Sequence, residues 1–201
     1  MGKGEKEKKD LYIEGVQNNG IINHYEYIIN SEGTIEIRHV LKPEGKMPLW
    51  FPRIGLTLTV SDALDQVKWY GRGPQENYPD RKTGYPTGIY ASTVQAMYEP
   101  YLMPQDYGLR TDVRWLQLTT DKGIGLQFKI NEWFNFNIYP YSTDNLTKAM
   151  YTYQLQKQKG MTLNLDYATT GVGCTARGVF GAYKAMPQEY RRTISIKPMM
   201  K

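Results

Sequence analysis

One cysteine in 201 residues, Cys174, excludes an internal disulfide framework and any cysteine-based zinc cluster. Two histidines, His24 and His39, leave little from which to build a histidine-rich metal centre, and no metal or cofactor is expected in this chain. No apolar run approaches the roughly 18 residues of a membrane-spanning helix, so no membrane partner is expected. The start, Met1-Gly2-Lys3-Gly4-Glu5-Lys6, lacks the apolar stretch of a secretory leader. Charge of one sign is also scarce: 25 Lys and Arg against 20 Asp and Glu leave a formal +5 at pH 7. The densest basic run, Lys3, Lys6, Lys8 and Lys9, is interleaved with Glu5, Glu7 and Asp10. Phosphate binding needs a clustered footprint, so nucleic acid is not an expected partner. Residues 1–10 read instead as a flexible, solvated lead-in or the remnant of a chain boundary.

Aromatic residues are what the chain has in quantity: 17 Tyr, 4 Trp and 5 Phe. That composition suits strands and permits sugar stacking. Alternating runs predict strands over 22–29, 34–41, 53–60, 66–70, 113–119, 124–130, 134–139, 152–156, 161–168 and 190–196, after a shorter one at 11–16. Asn18-Asn19-Gly20, Asn30-Ser31-Glu32-Gly33 and Asp121-Lys122-Gly123 read as turns. In 34–41, Ile35, Ile37, His39 and Leu41 share one face, which makes His39 a satisfied, partly buried histidine before a ligand or base. His24 and Glu26 share a face that reads as solvated. The one helix candidate is 142–150, with Ser142 or Thr143 as N-cap. From Gly71 to Tyr107 the strand pattern stops, and an irregular stretch of that length usually carries function or an interface. Roughly ten to twelve strands and one short helix predict an all-β fold, a large two-sheet antiparallel sandwich. No linker-like shift follows Asp10, so residues 11–201 form one domain.

The most informative stretch is Trp69-Tyr70-Gly71-Arg72-Gly73-Pro74-Gln75-Glu76-Asn77-Tyr78-Pro79-Asp80-Arg81. Two acids, Glu76 and Asp80, lie close in sequence to two arginines, Arg72 and Arg81, so ion pairs within the loop are available. A loop stiffened in that way presents Asn77 and Tyr78. Paired carboxylates about 5–9.5 Å apart are also the equipment of a glycosidase. Neighbouring arginines, however, depress carboxylate pKa values, which suits ion pairs and not a general acid. Trp133-Phe134 is a candidate sugar-stacking platform, set against the commoner use of alternating aromatics as core. Cys174 reads as an exposed thiol without a catalytic partner.

The run from Trp69 to Arg81 resembles the signature of the C-terminal β-sandwich of multidomain β-galactosidases of glycoside hydrolase family 2. Further blocks follow in the family's order: Leu-Trp-Phe-Pro-Arg-Ile-Gly at 49–55, Tyr98-Glu99-Pro100-Tyr101, and Gln105-Asp106-Tyr107-Gly108-Leu109-Arg110-Thr111-Asp112-Val113-Arg114-Trp115. Phe136-Asn137-Ile138-Tyr139-Pro140-Tyr141-Ser142 with Leu146, and Asp166 with Gly171-Val172-Gly173, complete the likeness over residues 11–197.

The resemblance implies a galactose-mutarotase-like supersandwich that packs beside a catalytic barrel and helps shape its active site. It places both catalytic glutamates in that barrel, and any metal ions of the parent enzyme in other domains. It further implies that strands preceding Leu11 in the family are absent from this chain. Loops 71–81 and 171–178 are then the parts expected to face the barrel and, through it, a galactoside. One departure stands out. Some members carry a tryptophan after Gly-Val-Gly that stacks on sugar, whereas here Arg177 falls near that place, offering hydrogen bonds but no apolar face. Two other classes stay open at this point: a carbohydrate-binding module using exposed Tyr and Trp, and an autonomous epimerase, which needs a convergent His/Glu pair. The compartment is not determined.

Overall fold

The computed structural model describes residues 5–15, 19–174 and 177–200. Among these residues there are twelve strands and one six-residue helix. The strands are β1 (Glu5–Gly15), β2 (Asn19–Ile29), β3 (Ile35–Glu44), β4 (Arg53–Val60), β5 (Gln66–Arg72) and β6 (Thr87–Thr93). They continue with β7 (Arg110–Val113), β8 (Trp115–Thr119), β9 (Gly125–Ile130), β10 (Phe134–Tyr139), β11 (Met161–Thr169) and β12 (Tyr190–Met199). The helix, α1 (Thr143–Lys148), follows β10, and the Ser142 hydroxyl caps it by accepting from the Asn145 amide.

Two antiparallel sheets face each other. The larger has eight strands in the order β1-β2-β3-β12-β9-β8-β5-β6, and the smaller four, β4-β11-β10-β7. Period-two alternation decides what each sheet buries. Trp69, Leu116, Leu118 and Phe128 come from the large sheet, and Leu163, Leu165, Phe134 and Phe136 from the small one, to make a continuous apolar core. Trp69 meets Phe136 edge-on across the gap, ring centroids 5.9 Å apart. The alternate residues of the small sheet, Arg53, Thr57, Asn137, Tyr139, Asn164 and Asp166, lie on its outer face. That face positions the site described below.

His39 is buried in the core as its strand pattern implies, and it links the two sheets. Its Nδ1 lies 2.8 Å from the Tyr167 hydroxyl on β11, and its Nε2 lies 3.0 Å from Asn23 Oδ1 on β2. Because Asn23 Oδ1 can only accept, the ring proton sits on Nε2 and Tyr167 donates to Nδ1.

Four expectations are altered. Residues 1–10 are not wholly lead-in, since β1 begins at Glu5 and pairs with β2 over its full length; Met1 to Gly4, and the turn signal at Asn18, lie outside the described residues. The segment after Gly71 contains β6, whose alternation is masked by the glycines and tyrosines around it. Residues 113–119 are not one strand. The chain leaves the small sheet at Val113 and joins the large one at Trp115, just after an irregularity in the β7–β10 pairing at which Asp112 holds a φ of +54°. Residues 152–156 form a 3₁₀ turn over Thr152–Gln154, because the Gln154 side chain reaches back to accept from the Met150 and Tyr151 amides.

Candidate functional site

The segment after β5 is held from below. Gly71 passes so close to β7 that a Cβ there would lie 2.8 Å from the Val113 side chain. Arg110, itself buried, reaches the Pro74 carbonyl with Nη2 at 3.0 Å and the Gly108 carbonyl with Nη1 at 2.8 Å. Burial pulls its guanidinium down to about 10, against the opposing fields of Glu99 and Glu76. Its partners are carbonyls, which makes it a clamp on the loop.

Glu76 is buried and saturated. Oε1 accepts from Arg81 at 2.8 Å and from the Tyr101 hydroxyl; Oε2 accepts from the Gly108 amide at 2.9 Å and the Tyr78 hydroxyl at 3.2 Å. Four donors on one carboxylate leave no lone pair for proton transfer to a ligand. Tyr78 is correspondingly pushed up by burial and by Glu76.

Of the ion pairs available within the loop, only Arg81–Glu76 forms. Arg72 turns to Asp112, 2.5 Å away, and to the carbonyls of Lys82 and Tyr85. Burial pushes Asp112 up, yet hydrogen bonds from Lys82 and Arg72 outweigh it and bring the carboxyl below its usual value. Asn77 is not presented to anything outside. It is fully buried, its Oδ1 taking the Thr111 amide and hydroxyl and its Nδ2 donating to the Gln75 carbonyl. A side chain with two donors and two acceptors is best satisfied inside, and Asn77 acts as an internal staple.

Asp80 ties the two candidate loops together. Its carboxylate accepts from the amides of Val172 at 3.1 Å and Gly173 at 2.7 Å. A Cβ on Gly171 would lie 2.3 Å from the Asp80 carboxyl carbon, so close approach requires glycine there. Replacing Asp80 with alanine is expected to cost about 1–2 kcal/mol and to speed hydrogen exchange at Val172 and Gly173. Unchanged exchange at those two amides would mean that the tie contributes nothing. Beyond it, Cys174 and Arg177 exchange backbone hydrogen bonds, and Arg177 is exposed.

The second polar centre lies on the outer face of the small sheet. Arg53 Nη2 on β4 donates to Asp166 on β11 at 2.8 Å and to Asn137 on β10 at 3.2 Å. Asn137 donates in turn to Asp106 at 2.9 Å, and Asn164 donates to Asn137 and to the Tyr139 hydroxyl. Burial pushes the Asp166 carboxyl up to about 6, against the pull of Arg53. Arg53 is raised on balance: burial lowers it, and Asp166 and Asp106 more than restore it. Arg53 and Asp106, with parts of the two tied loops, line an open cleft of about 820 Å³, together with Tyr78, Arg81, Thr169 and Val172 among others.

The chain matches the family described as "Beta galactosidase small chain" over residues 4–196. It belongs to that family. A β-galactosidase of Priestia megaterium is 38% identical over 147 residues, covering 73% of this chain and 14% of the relative. A β-galactosidase of Vibrio cholerae serotype O1 is 39% identical over 122 residues, covering 61% of this chain and 11% of the relative. The chain therefore spans only about a seventh of the length of such curated relatives, and corresponds to one domain of a larger enzyme. The crystal structure of a GalM/aldose epimerase homologue from C. elegans superposes with a TM-score of 0.51 at 12% identity, covering 97% of this chain and 66% of that one. The fold is galactose-mutarotase-like.

For this small-chain domain, the aromatic platform expected at Trp133-Phe134 does not form. Trp133 is 60% exposed and Phe134 1%, because successive residues entering β10 point to opposite faces. Trp133 instead stacks against the Arg114 guanidinium, 4.5 Å away, which also lies over Tyr70 at 4.8 Å. The expected site residues thus divide: Tyr78 and Arg81 line the cleft; Glu76, Asn77 and Asp80 support it; and Arg72, Trp133 and Phe134 stand elsewhere. Arg53, Asp106, Asn137 and Asp166 were missed as a group. Their sequence signal is polar residues alternating with apolar ones in Phe-Asn-Phe-Asn-Ile-Tyr and Thr-Leu-Asn-Leu-Asp.

Proposed function

We propose that this chain is the non-catalytic β-sandwich of a β-galactosidase, which packs on the catalytic barrel and shapes the surroundings of its active site. The observation that carries this reading is the apolar fringe beside the tied loops. Trp50 and Val172 line the cleft and are exposed, and their near neighbours in sequence Leu49 and Phe180, with Met186, are exposed too, with no cover from the described residues. An apolar fringe with a polar centre is the usual anatomy of a surface that another domain covers. The chemistry of the loops points the same way. Glu76 and Asp80 are both committed to fixed donors, so neither serves as the proton donor or nucleophile that glycoside hydrolysis needs.

The isolated chain is expected to give no turnover of a chromogenic β-galactoside. Turnover that follows the protein peak through repurification would overturn the reading.

A further inference from the structure

We propose that β6, the open edge of the eight-stranded sheet, pairs with the β6 of a second copy of this chain and joins two sheets into one across a two-fold axis. The contact belongs to the other sheet from the cleft and does not rest on the docking role.

The two outer strands of the large sheet differ in kind. β1 opens with Glu-Lys-Glu-Lys-Lys-Asp, a charged edge that discourages pairing. β6, from Thr87 to Thr93, holds no charged residue and no proline, and none of the described strands lies on its outer side. Its neighbours decide which of its backbone groups are free. The Tyr70 carbonyl is turned toward β8, where it accepts from the Arg114 amide at 2.8 Å. Successive residues of a strand turn their N–H and C=O to opposite sides, so Trp69 turns toward β6 and meets Tyr90 in register. Gly88, Tyr90 and Ser92 therefore bond inward, and Thr87, Ile89 and Ala91 hold their N–H and C=O out to the open side. Both ends of this free ladder are closed. The Thr93 carbonyl is taken by the Met97 amide at 3.1 Å, and the Tyr85 carbonyl by Arg72 at 2.9 Å.

A ladder that is free from Thr87 to Ala91 is centred on Ile89 and is its own antiparallel complement. With Ile89 opposite Ile89 of the second copy, Thr87 meets Ala91 on either side of the axis, and each pair exchanges both bonds. The side chains fit the same arrangement. Ile89 is 62% exposed. In register it lies beside Tyr70 of β5, and Tyr70 beside Trp115 of β8, their ring centroids 6.4 Å apart. Pairing about Ile89 sets two such rows end to end, so one apolar stripe crosses the axis. No like charges oppose each other there, because β6 carries none. A contact of this length buries less than about 1,200 Å², the size of a transient interface, and a Kd on the order of 0.1 mM is expected.

The test is sedimentation equilibrium of this chain from about 10 μM to 1 mM, a range that brackets such a Kd. The mean mass is expected to rise from 23.2 kDa toward twice that value. Over the same range hydrogen exchange at the Ile89 and Ala91 amides is expected to slow, with the amides of β4, an open edge of the small sheet, unaffected. Ile89→Lys sets a charge against its own copy at the axis. Ala91→Pro removes an N–H that faces the open side. Each is expected to raise Kd about tenfold or more with the melting temperature nearly unchanged. Thr59→Lys, at an exposed position of β4, is expected to associate as the wild type does. A mass of 23.2 kDa at every concentration overturns the proposal. So does association of unchanged strength in both β6 variants, protection that builds on β4 instead, or a loss of association caused by Thr59→Lys.

Discussion

Arg53→Ala is expected to lower folding stability by about 3–5 kcal/mol, the cost of leaving one member of a buried ion pair unpartnered. The asymmetry of the pair is the reason. Asp166 keeps 2% of its side-chain surface exposed and Arg53 24%, so removing the arginine strands the deeper charge. What then remains to Asp166 is the Thr169 hydroxyl at 3.4 Å. The carboxyl responds by holding its proton to higher pH. In the wild-type chain its folded value is already raised to about 6 by burial, above the ordinary carboxylate range. A carboxyl raised on folding contributes stability that is present below its unfolded pKa and is lost as pH rises through the folded one. The deficit of Arg53→Ala should therefore be larger well above pH 6 than well below it. Urea midpoints at two such pH values measure this. The double variant Arg53→Met with Asp166→Leu should recover much of the loss, since an apolar pair removes both desolvation costs. A single-variant loss under about 1 kcal/mol would place the pair among solvent-screened surface bridges.

The second large effect is acid-induced and belongs to His39. Burial lowers its pKa from 6.5 to about 4. A histidine lowered on folding contributes stability that is complete above its unfolded pKa and is lost as pH falls through the folded value. The loss falls between about pH 6.5 and 4 and is on the order of 3 kcal/mol. Its geometry explains the resistance to charging. Tyr25 stacks on the ring at 4.2 Å, Asn23 and Tyr167 occupy both nitrogens, and among the described residues no carboxylate is bonded to it to stabilise an imidazolium. Asp166 contributes with the opposite sign over part of the same window. The difference between the wild-type profile and that of His39→Gln isolates the histidine, because the Asp166 contribution is common to both. An NMR titration that finds His39 with an ordinary midpoint near 6.5 would remove the basis of this prediction.

Much of the fold is visible in the sequence because its cause is local. Ile35, Ile37, His39 and Leu41 alternate, and they sit on the core face of β3 as that alternation requires. Asn30 closes the β2–β3 hairpin by accepting from the Glu32 and Thr34 amides, with Gly33 at a φ of +76°, and both residue types advertise that turn. Ser142 caps the helix as its hydroxyl allows. Within the family likeness, the Gly71 to Arg81 run holds Arg72, Glu76, Asn77, Tyr78, Asp80 and Arg81, each bonded to a structural partner.

Those partners were not visible. Arg72 passes over the acids within its own loop for Asp112, forty residues on, and Asp80 reaches Val172 and Gly173, more than ninety residues on. The polar network at the cleft joins Arg53, Asp106, Asn137 and Asp166, one each from β4, the loop before β7, β10 and β11. Alternation tells which face a side chain takes, because the strand period is intrinsic to the backbone. It does not tell which strands become neighbours or in what register. Here β11 slots between β4 and β10, and that pairing alone brings Arg53 within 2.8 Å of Asp166. The sequence by itself thus determined most of the strands, their buried faces and the family likeness. The tertiary structure decided which polar residues meet, since sheet order is settled by packing across the whole core and not by any one segment.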